Sequence, residues 1–393
     1  MKTKLGLSLL SVAIAVLLTV GIDRCVGFVR TPVANLIFEP YLTVRYNSPE
    51  FHVEARINNL GFRGPDFDLE RSERYRVLAL GDSFTFGFGV GNEDTWPALL
   101  AAELRTWNGG VEVANLGKPG SAPADYADVA ERAIPVLKPD LVVIGLLQGD
   151  DLGQAMRTPR LPKDPGPAES RNLRVSSSRF LRQVMYPNLT ARLVVGHSEP
   201  IQIDAVWKKS VDRLMKGLNK AQKKRLDAVD KEILDIFVAG ELNPGLLLLG
   251  IKHPEHFSKT LDLDQRAVQK GIEEIGVHLS RIKIAARRHG GRVVVVSIPM
   301  GAFASRRNLD NYVRMGIKMS PSYLETNKMD EALRQAAAAA DVEFLEITKV
   351  FREAATERSL YFELDGHPNA EGQYLLAATI APFVQDKLSS LAR

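Results

Sequence analysis

The sequence has little cysteine, no internal repeat and no excess of charge outside one short segment. Its 393 residues contain a single cysteine, Cys25, so the chain cannot form an internal disulfide bond. Hydrophobic residues make up 45% and charged residues 25% of the chain, which excludes a disordered protein and a collagen-like fibre. This composition also excludes a multi-span membrane protein.

The formal net charge of +4 comes from one segment. Lys208–Glu232 contains nine Lys/Arg and four Asp/Glu, a net charge of +5, so the rest of the chain sums to −1. A basic segment of one helix is weak evidence for nucleic-acid binding, and we expect no nucleic-acid partner. We interpret it as a solvated helix face; contact with an anionic envelope glycan or lipid headgroup is the alternative. The face consists of Lys208, Lys209, Lys220, Lys223, Lys224 and Arg225.

One uncharged run, Leu5–Ile22, lies at the N-terminus behind two lysines. Its 18 residues are just long enough for a membrane-spanning helix, which needs about 20 apolar residues. The run is longer than the ~7–15 apolar residues of a cleavable signal peptide, and no Ala-x-Ala site follows it. A lipoprotein signal has small apolar residues directly before its cysteine, whereas Asp23 and Arg24 precede Cys25 here. We therefore predict an N-terminal transmembrane helix as an uncleaved membrane anchor, with the body extracytoplasmic, on the periplasmic side of the inner membrane.

From Arg76 onward, short apolar runs alternate with amphipathic helices. Continuous runs rich in β-branched residues are typical of strands that are covered on both faces, as in a parallel sheet. Their alternation with helices predicts an α/β fold with a doubly wound sheet. The five predicted strands are Val77–Leu80, Val111–Leu116, Leu141–Leu147, Arg292–Ile298 and Val342–Ile347.

The third and fourth predicted strands are too far apart for one crossover connection. The intervening chain begins with the proline-rich Pro159–Pro167 and continues with one long amphipathic helix, predicted over Ala205–Val238. We predict an inserted helical subdomain at the place where an α/β fold forms its ligand crevice. The division is a membrane anchor (1–24), a lead-in segment (25–75), a first core part (76–158), the insertion (159–264) and a second core part (265–393).

Ser83 follows the first predicted strand, within Gly81-Asp82-Ser83-Phe84-Thr85-Phe86-Gly87. A serine at the carboxyl end of a parallel strand is exposed where such sheets bind ligands, and can act as a nucleophile. The plainer interpretation is that Asp82 or Ser83 caps the next helix. Alone, the motif indicates a nucleophile without establishing one.

Two further motifs follow other strands. Asn115-Leu116-Gly117-Lys118-Pro119-Gly120 closes the second strand, where glycines let the backbone approach a ligand and present an N–H group to an oxyanion. Taken alone, it is more simply a β-to-α turn. Asp365-Gly366-His367-Pro368-Asn369 precedes the last predicted helix. Residues two apart in an extended segment project to the same face, so Asp365 can reach His367 and fix its tautomer.

Together these motifs resemble the SGNH/GDSL hydrolase family over about 76–152 and 265–393, and Asn58–Gly64 resembles the lead-in of its membrane-anchored bacterial members. The resemblance implies a three-layer α/β/α sandwich with Ser83 as nucleophile, His367 as general base and acid, and Asp365 as its orienting residue. It places the oxyanion-hole donors at Ser83, Gly120 and Gly149. No cofactor or metal is expected.

The chain departs from the family pattern at two positions. The family usually has Asp-x-x-His, but residue 364 is leucine, so Asp365 must act at a shorter spacing; Glu363 is a poorer substitute. Gly149 stands where the family has an asparagine that donates to the oxyanion. Loss of one such donor typically costs about 10²–10³ in turnover. Either the Gln148 side chain or the Gly149 N–H group is a possible replacement.

The function expected from the resemblance is a serine esterase that removes a short acyl group such as acetyl from a cell-envelope carbohydrate or lipid. The alternatives are an O-acyltransferase acting on an exported polysaccharide and a non-catalytic scaffold with an altered oxyanion hole. His253-Pro254-Glu255-His256 contains potential metal ligands, but we expect it to be solvent-exposed. Phe84, Phe86 and Phe88 alternate beside Ser83 and line either an acyl pocket or the core.

Overall fold

The computed structural model describes residues 2–29, 35–70, 75–157 and 200–391. Its strands are β1 (Thr43–Ser48), β2 (Phe51–Arg56), β3 (Tyr75–Gly81), β4 (Val111–Gly117), β5 (Leu141–Leu147), β6 (Ile201–Gln202), β7 (Arg292–Ile298) and β8 (Glu343–Glu346). Before β7, its helices are α1 (Lys2–Val29), α2 (Ser83–Phe86), α3 (Trp96–Trp107), α4 (Pro123–Leu137), α5 (Asp150–Ala155), α6 (Ile203–Gly217), α7 (Lys220–Leu226), α8 (Lys231–Ala239), α9 (Pro244–Lys252) and α10 (Arg266–Arg287). After β7 they are α11 (Gly301–Ala304), α12 (Arg306–Arg314), α13 (Lys328–Ala339), α14 (Thr348–Ala354) and α15 (Ala370–Ser389).

The contacts divide the chain into two compact units. The smaller contains Met1–Thr43, Arg56–Arg71 and Leu161–Pro200, and the larger contains Val44–Ala55, Ser72–Arg160 and Ile201–Arg393. All of the predicted catalytic and oxyanion-hole residues belong to the larger unit.

The five predicted strands of the α/β fold are confirmed as one parallel sheet in the order β4-β3-β5-β7-β8. Every residue of β5 is buried, as the continuous apolar run predicted. The chain places β4 on one side of β3 and then β5, β7 and β8 in succession on the other side. Right-handed crossovers then place helices on both faces of the sheet. Accordingly, α3 contacts α15, whereas α4 contacts α10, which also contacts α13. The carboxyl ends of β3 and β5 meet at the point where the strand order reverses.

A second sheet, of three strands in the order β2-β1-β6, was not predicted. Its hairpin of β1 and β2 lies inside the predicted lead-in segment (25–75). The available signal was the alternation of apolar and polar residues in β1, where Val44 and Tyr46 alternate with Arg45 and Asn47.

The single long helix predicted over Ala205–Val238 is wrong, because this stretch forms α6, α7 and α8. The Asn219 Oδ1 accepts a hydrogen bond from the Gln222 N–H at 2.9 Å, and the Gln222 Oε1 accepts one from the Asn219 N–H at 3.0 Å. This capping box starts α7, and Asp230 caps α8 through the Glu232 N–H. The predicted apolar face is buried nevertheless, in a cluster that contains Val211, Leu214, Leu218, Val229, Ile233 and Phe237.

Most of the basic face of the insertion is exposed, but Arg225 is not part of it. The Arg225 Nε donates a hydrogen bond to the Ile251 carbonyl oxygen at 2.6 Å, so this side chain is half-buried against α9. The proline-rich Pro159–Pro167 lies outside the described residues.

The predicted membrane anchor lies within α1, although the side chains of residues 5–10 and 12 are not among those described. Across the part of the chain that the structure describes, no helix has both the length and the apolar character needed to cross a bilayer. The described structure therefore gives the transmembrane prediction no support.

In the smaller unit, two asparagines shape the turn of the lead-in motif. The Asn58 Oδ1 accepts hydrogen bonds from the Leu60 N–H at 3.0 Å and the Phe62 N–H at 3.2 Å. The Asn59 side chain bonds the N–H of Phe67 at 2.8 Å and its carbonyl at 3.1 Å. These side chains replace backbone partners in an irregular buried segment, so the motif has a structural role of its own.

Candidate active site

Ser83 lies directly beyond the end of β3, as the first residue of the one-turn helix α2. The Asp82 Oδ1 accepts a hydrogen bond from the Phe84 N–H at 2.9 Å and so caps this turn. The capping role therefore belongs to Asp82, and the half-buried Ser83 hydroxyl faces the site.

The structure brings Ser83, His367 and Asp365 together in one line of hydrogen bonds. The His367 Nε2 lies 2.7 Å from the Ser83 Oγ, and the His367 Nδ1 lies 2.5 Å from the Asp365 Oδ1. A carboxylate can only accept, so the Nδ1 carries the proton and the Nε2 lone pair faces the hydroxyl. This arrangement lets His367 act as a base toward Ser83. The Asp365 carboxylate thus reaches His367 although only one residue separates them in sequence.

Aromatic side chains hold the His367 ring. Phe88 stacks on it with ring centroids 4.6 Å apart, and Phe84 lies tilted at 4.9 Å. Trp207, from α6 of the insertion, lies 6.2 Å from Phe88. Phe84, Phe86 and Phe88 are all buried, so two of the three alternating phenylalanines pack around the histidine.

The last helix also contacts the turn that carries Ser83. The Gln373 side chain, on α15, donates to the Phe84 carbonyl oxygen at 3.3 Å and accepts from the Trp96 N–H at 2.8 Å. This buried amide satisfies backbone groups on both sides of the serine loop, which orders the loop.

The three predicted oxyanion donors differ in exposure. Gly120 is exposed, Gly149 is buried and Ser83 is intermediate. Among the described residues, none of their N–H groups donates a hydrogen bond to a protein acceptor. Such groups are suited to bind a developing oxyanion, although their roles stay predictions.

Gln148 cannot replace the family's asparagine, because its amide points into a buried network. Its Nε2 donates to the Asp330 Oδ1 at 2.6 Å and to the Thr348 Oγ1 at 2.6 Å. Ser297 joins the same network through the Asp330 Oδ1 at 2.6 Å. Of the two replacements considered from the sequence, the structure leaves only the Gly149 N–H group.

Gly149 adopts a backbone conformation that other residues rarely take. Its φ of 72° and ψ of −41°, with a hydrogen bond from the Asp150 N–H to the Gln148 carbonyl at 2.8 Å, form a strained γ-turn. A Cβ atom here would lie 2.9 Å from the Phe257 Cδ1. Both constraints explain glycine at this position.

Buried carboxyl groups lie beneath the serine turn. Burial raises the pKa of Asp82 to about 7; the charge of Asp150 adds to this increase, while His367 opposes it. Burial also raises the pKa of Asp151 well above its usual range, and its oxygens accept from the Tyr126 hydroxyl at 2.9 Å and the Leu147 N–H at 2.8 Å. Close to neutral pH, these groups tend to retain protons.

The predicted solvent exposure of His253-Pro254-Glu255-His256 is wrong for His256. This residue is 5% exposed, with Nδ1 2.9 Å from an Arg157 Nη1 and Nε2 3.3 Å from the Asp150 Oδ1. It is buried because its ring packs against Gly153, where a side chain would collide with it. Within the described ranges, no group of histidine, cysteine and carboxylate side chains could hold a metal ion.

The sequence profile of the GDSL-like Lipase/Acylhydrolase family matches residues 79–250 of this chain. Residues 79–250 therefore contain a GDSL-like lipase/acylhydrolase domain, which confirms the resemblance that the motifs indicated. The assignment supports a carboxylic ester hydrolase. No curated protein matches the sequence.

Solved structures of similar proteins include several esterases. The structure of TesA is 14% identical, with a TM-score of 0.39, and covers 79% of this chain and 99% of its own. EstA, an esterase from Pseudoalteromonas sp., is 9% identical, with a TM-score of 0.37, over 80% of this chain and 98% of its own. The acetyl xylan esterase AlAXEase is 11% identical, with a TM-score of 0.36, over 81% of this chain and 100% of its own.

Proposed function

We propose that the protein is a serine esterase that hydrolyses a short acyl ester through Ser83, His367 and Asp365. The observation that carries the proposal is the 2.7 Å contact between the His367 Nε2 and the Ser83 Oγ. This distance is within the reach of a general base for the proton it removes.

The proposed reaction begins when His367 takes the Ser83 proton and the Ser83 oxygen attacks the ester carbonyl carbon. The carbonyl π electrons move to oxygen, and the N–H groups of Ser83, Gly120 and Gly149 donate hydrogen bonds to this oxyanion. His367 then gives its proton to the departing alkoxide, which leaves an acyl-serine. Asp365 stays ionised and stabilises the imidazolium that forms in between.

In the second half, His367 takes a proton from water, and the hydroxide attacks the acyl-serine carbonyl. Collapse of this intermediate breaks the bond to the Ser83 oxygen, which recovers its proton from His367, and releases the carboxylic acid. A sugar hydroxyl in place of water would give acyl transfer by the same steps.

An acetyl group on a cell-envelope carbohydrate or lipid is proposed as the substrate from the family resemblance. The uncharged N-terminal run supports a membrane anchor, and we propose that the body lies on the periplasmic side. Contact of the exposed basic lysines of the insertion with an envelope glycan is part of the same proposal.

The test uses the full-length protein with p-nitrophenyl esters of increasing acyl length. We expect release of p-nitrophenol from the acetyl ester, abolished in Ser83→Ala and kept in Ser258→Ala, which removes an exposed serine hydroxyl instead. A fluorophosphonate should label wild type but not Ser83→Ala. Absence of Ser83-dependent release and labelling would contradict both enzyme functions and favour a scaffold. Faster release in the presence of a polysaccharide, with acetyl found on it, would favour transfer over hydrolysis.

A further inference from the structure

Glu50 binds the backbone of the loop that carries Asp365 and His367. It lies in the turn between β1 and β2, and its Oε1 accepts hydrogen bonds from the Glu363 N–H at 2.6 Å and the Leu364 N–H at 3.0 Å. Its Oε2 accepts from the Asp365 N–H at 2.7 Å. One carboxylate thus satisfies three successive amides that are more than 300 residues away in sequence.

The opposite side of the same loop is held by amides of α12. The Asn308 Nδ2 donates to the Phe362 carbonyl oxygen at 2.8 Å, and the Asn311 Nδ2 donates to the Glu363 carbonyl oxygen at 3.1 Å. Within the loop, the Phe362 N–H donates to the His367 carbonyl oxygen at 2.9 Å. Glu50 therefore binds the donor side of the loop, while the two asparagines bind its acceptor side.

The hairpin also contacts the aromatic support of the histidine. Phe51, next to Glu50, packs on Phe362 with centroids 4.7 Å apart and on Phe88 at 6.0 Å. Phe88 in turn stacks on His367. The hairpin thus approaches the histidine both through the loop backbone and through its ring.

Leu364 marks the place where this loop departs from the family pattern. Residue 364, where the family usually has its aspartate, packs instead against the hydrophobic cluster of the insertion. The neighbouring Glu363 forms an ion pair with Arg307 at the surface. The carboxylate that orients His367 has moved to residue 365, whose N–H group is bound by Glu50.

We propose that Glu50 is a positioning residue, whose carboxylate holds residues 363–365 so that the Asp365 carboxylate meets the His367 Nδ1. The inference rests on the proposed function, since it assigns Glu50 an effect on the reactivity of Ser83. The negative carboxylate suits three converging N–H groups, and charge-assisted hydrogen bonds are the stronger ones. Burial and the negative charge of Asp365 raise the pKa of Glu50, and the three amides oppose this.

The test compares Glu50→Gln with Glu54→Gln. The control removes a carboxylate of the same hairpin, one that pairs with Arg45 and not with the loop. A glutamine has only one side-chain carbonyl oxygen, which can replace Oε1. Its NH₂ group then faces the Asp365 N–H, and two donors cannot form a hydrogen bond. Displacement of catalytic groups by about 1 Å can cost 10²-fold. We therefore expect Glu50→Gln to lower kcat and the rate of fluorophosphonate labelling by roughly ten- to a hundredfold, with KM unchanged. Glu54→Gln should behave as wild type.

A proton NMR spectrum gives a readout that a general loss of stability would not move. The His367 Nδ1–H resonance should be sharp and at low field in wild type and Glu54→Gln, and shifted or broadened in Glu50→Gln at a temperature where all three are folded. If Glu50→Gln does not fold, Glu50→Asp keeps the charge, shortens the side chain by one methylene group, and is expected to lower kcat in the same way.

A folded Glu50→Gln or Glu50→Asp with wild-type kcat and an unchanged Nδ1–H resonance would overturn the inference. Failure of the proposed function is distinguishable, because wild type would then be as inert as Ser83→Ala toward ester and fluorophosphonate. In that case the Nδ1–H resonance alone decides whether Glu50 positions His367.

Discussion

Replacement of Gly149 by asparagine would restore the residue type that the family uses as an oxyanion donor, yet we expect it to harm the protein. The γ-turn at φ 72° and ψ −41° lies outside the left-handed helical region that asparagine tolerates. Holding a residue other than glycine in this backbone conformation costs about 1–3 kcal/mol. The new Cβ would also lie 2.9 Å from the Phe257 Cδ1, and overpacking of this kind costs about 1–3 kcal/mol more.

The two costs together lower the free energy of unfolding by about 2–6 kcal/mol. About 2–4 °C of melting temperature is lost per kcal/mol in large domains, so we expect a decrease of roughly 4–24 °C. Thermal unfolding followed by circular dichroism measures this change. Gly149→Ala is the matched control: it brings the same strain and overlap without an amide, and its melting temperature should fall similarly.

Turnover of p-nitrophenyl acetate completes the comparison. We expect kcat of Gly149→Asn to be no higher than that of Gly149→Ala, since the strained turn cannot aim the new amide at the oxyanion. Adding Phe257→Leu to Gly149→Asn should restore part of the melting temperature but not all, because the backbone strain persists. A Gly149→Asn protein with wild-type stability and kcat raised about 10²-fold would refute the reasoning, since that is the value of one oxyanion donor.

Three further changes test the site. Asp365→Asn should lower kcat on p-nitrophenyl acetate by about 10⁴, with KM little changed, because the wrong His367 tautomer then faces Ser83. Asp82→Asn should raise the free energy of unfolding at pH 8 by up to about 4 kcal/mol, because burial of the charged Asp82 is avoided. Trp207→Ala should lower stability by about 3–5 kcal/mol and loosen the ring support of the histidine, so both the melting temperature and kcat fall.

The Asp82 prediction has a defined pH dependence. The pKa of Asp82 is about 7 in the folded protein and 3.8 as its ordinary value. Above pH 7 the carboxyl is charged in both states and the burial penalty is complete, whereas below about pH 4 it is protonated in both and the penalty is absent. The advantage of Asp82→Asn in denaturant unfolding should therefore shrink as the pH falls from 7 to 4, and a constant difference would contradict it. A folded Asp365→Asn or Trp207→Ala protein with the kcat of wild type would contradict the prediction for that variant.

The core of the fold could be predicted because its signals are local. The strands β3, β5 and β7 contain continuous apolar runs because they are covered on both faces, and Ser83 and Gly149 lie two residues beyond the ends of β3 and β5. The edge strand β8, Glu-Phe-Leu-Glu, has no buried residue and gives a weaker signal. Asp365 and His367 are close in sequence, so the hydrogen bond between them could be anticipated from spacing alone. That these two residues lie close to Ser83 in space could be inferred only through the family resemblance.

The errors arose where distant partners decide the structure. Nothing near Glu50 indicates that its carboxylate binds amides at residues 363–365, and the burial of His256 depends on Gly153 and Asp150. The break between α6 and α7 was different, because Asn219 and Gln222 form a capping signal in the sequence. There the continuous apolar periodicity across the break concealed it.

The distance between Ser83 and His367 along the chain, 284 residues, also sets the timing of activity during synthesis. At about 5–20 residues per second, a ribosome adds the histidine roughly 15–60 s after the serine. The serine turn is then exposed on a nascent chain without its proposed base, and Gln373 has not yet emerged to satisfy the backbone beside it. Under the proposed mechanism a growing chain cannot cleave esters, and ester cleavage begins only after the C-terminal helix has docked.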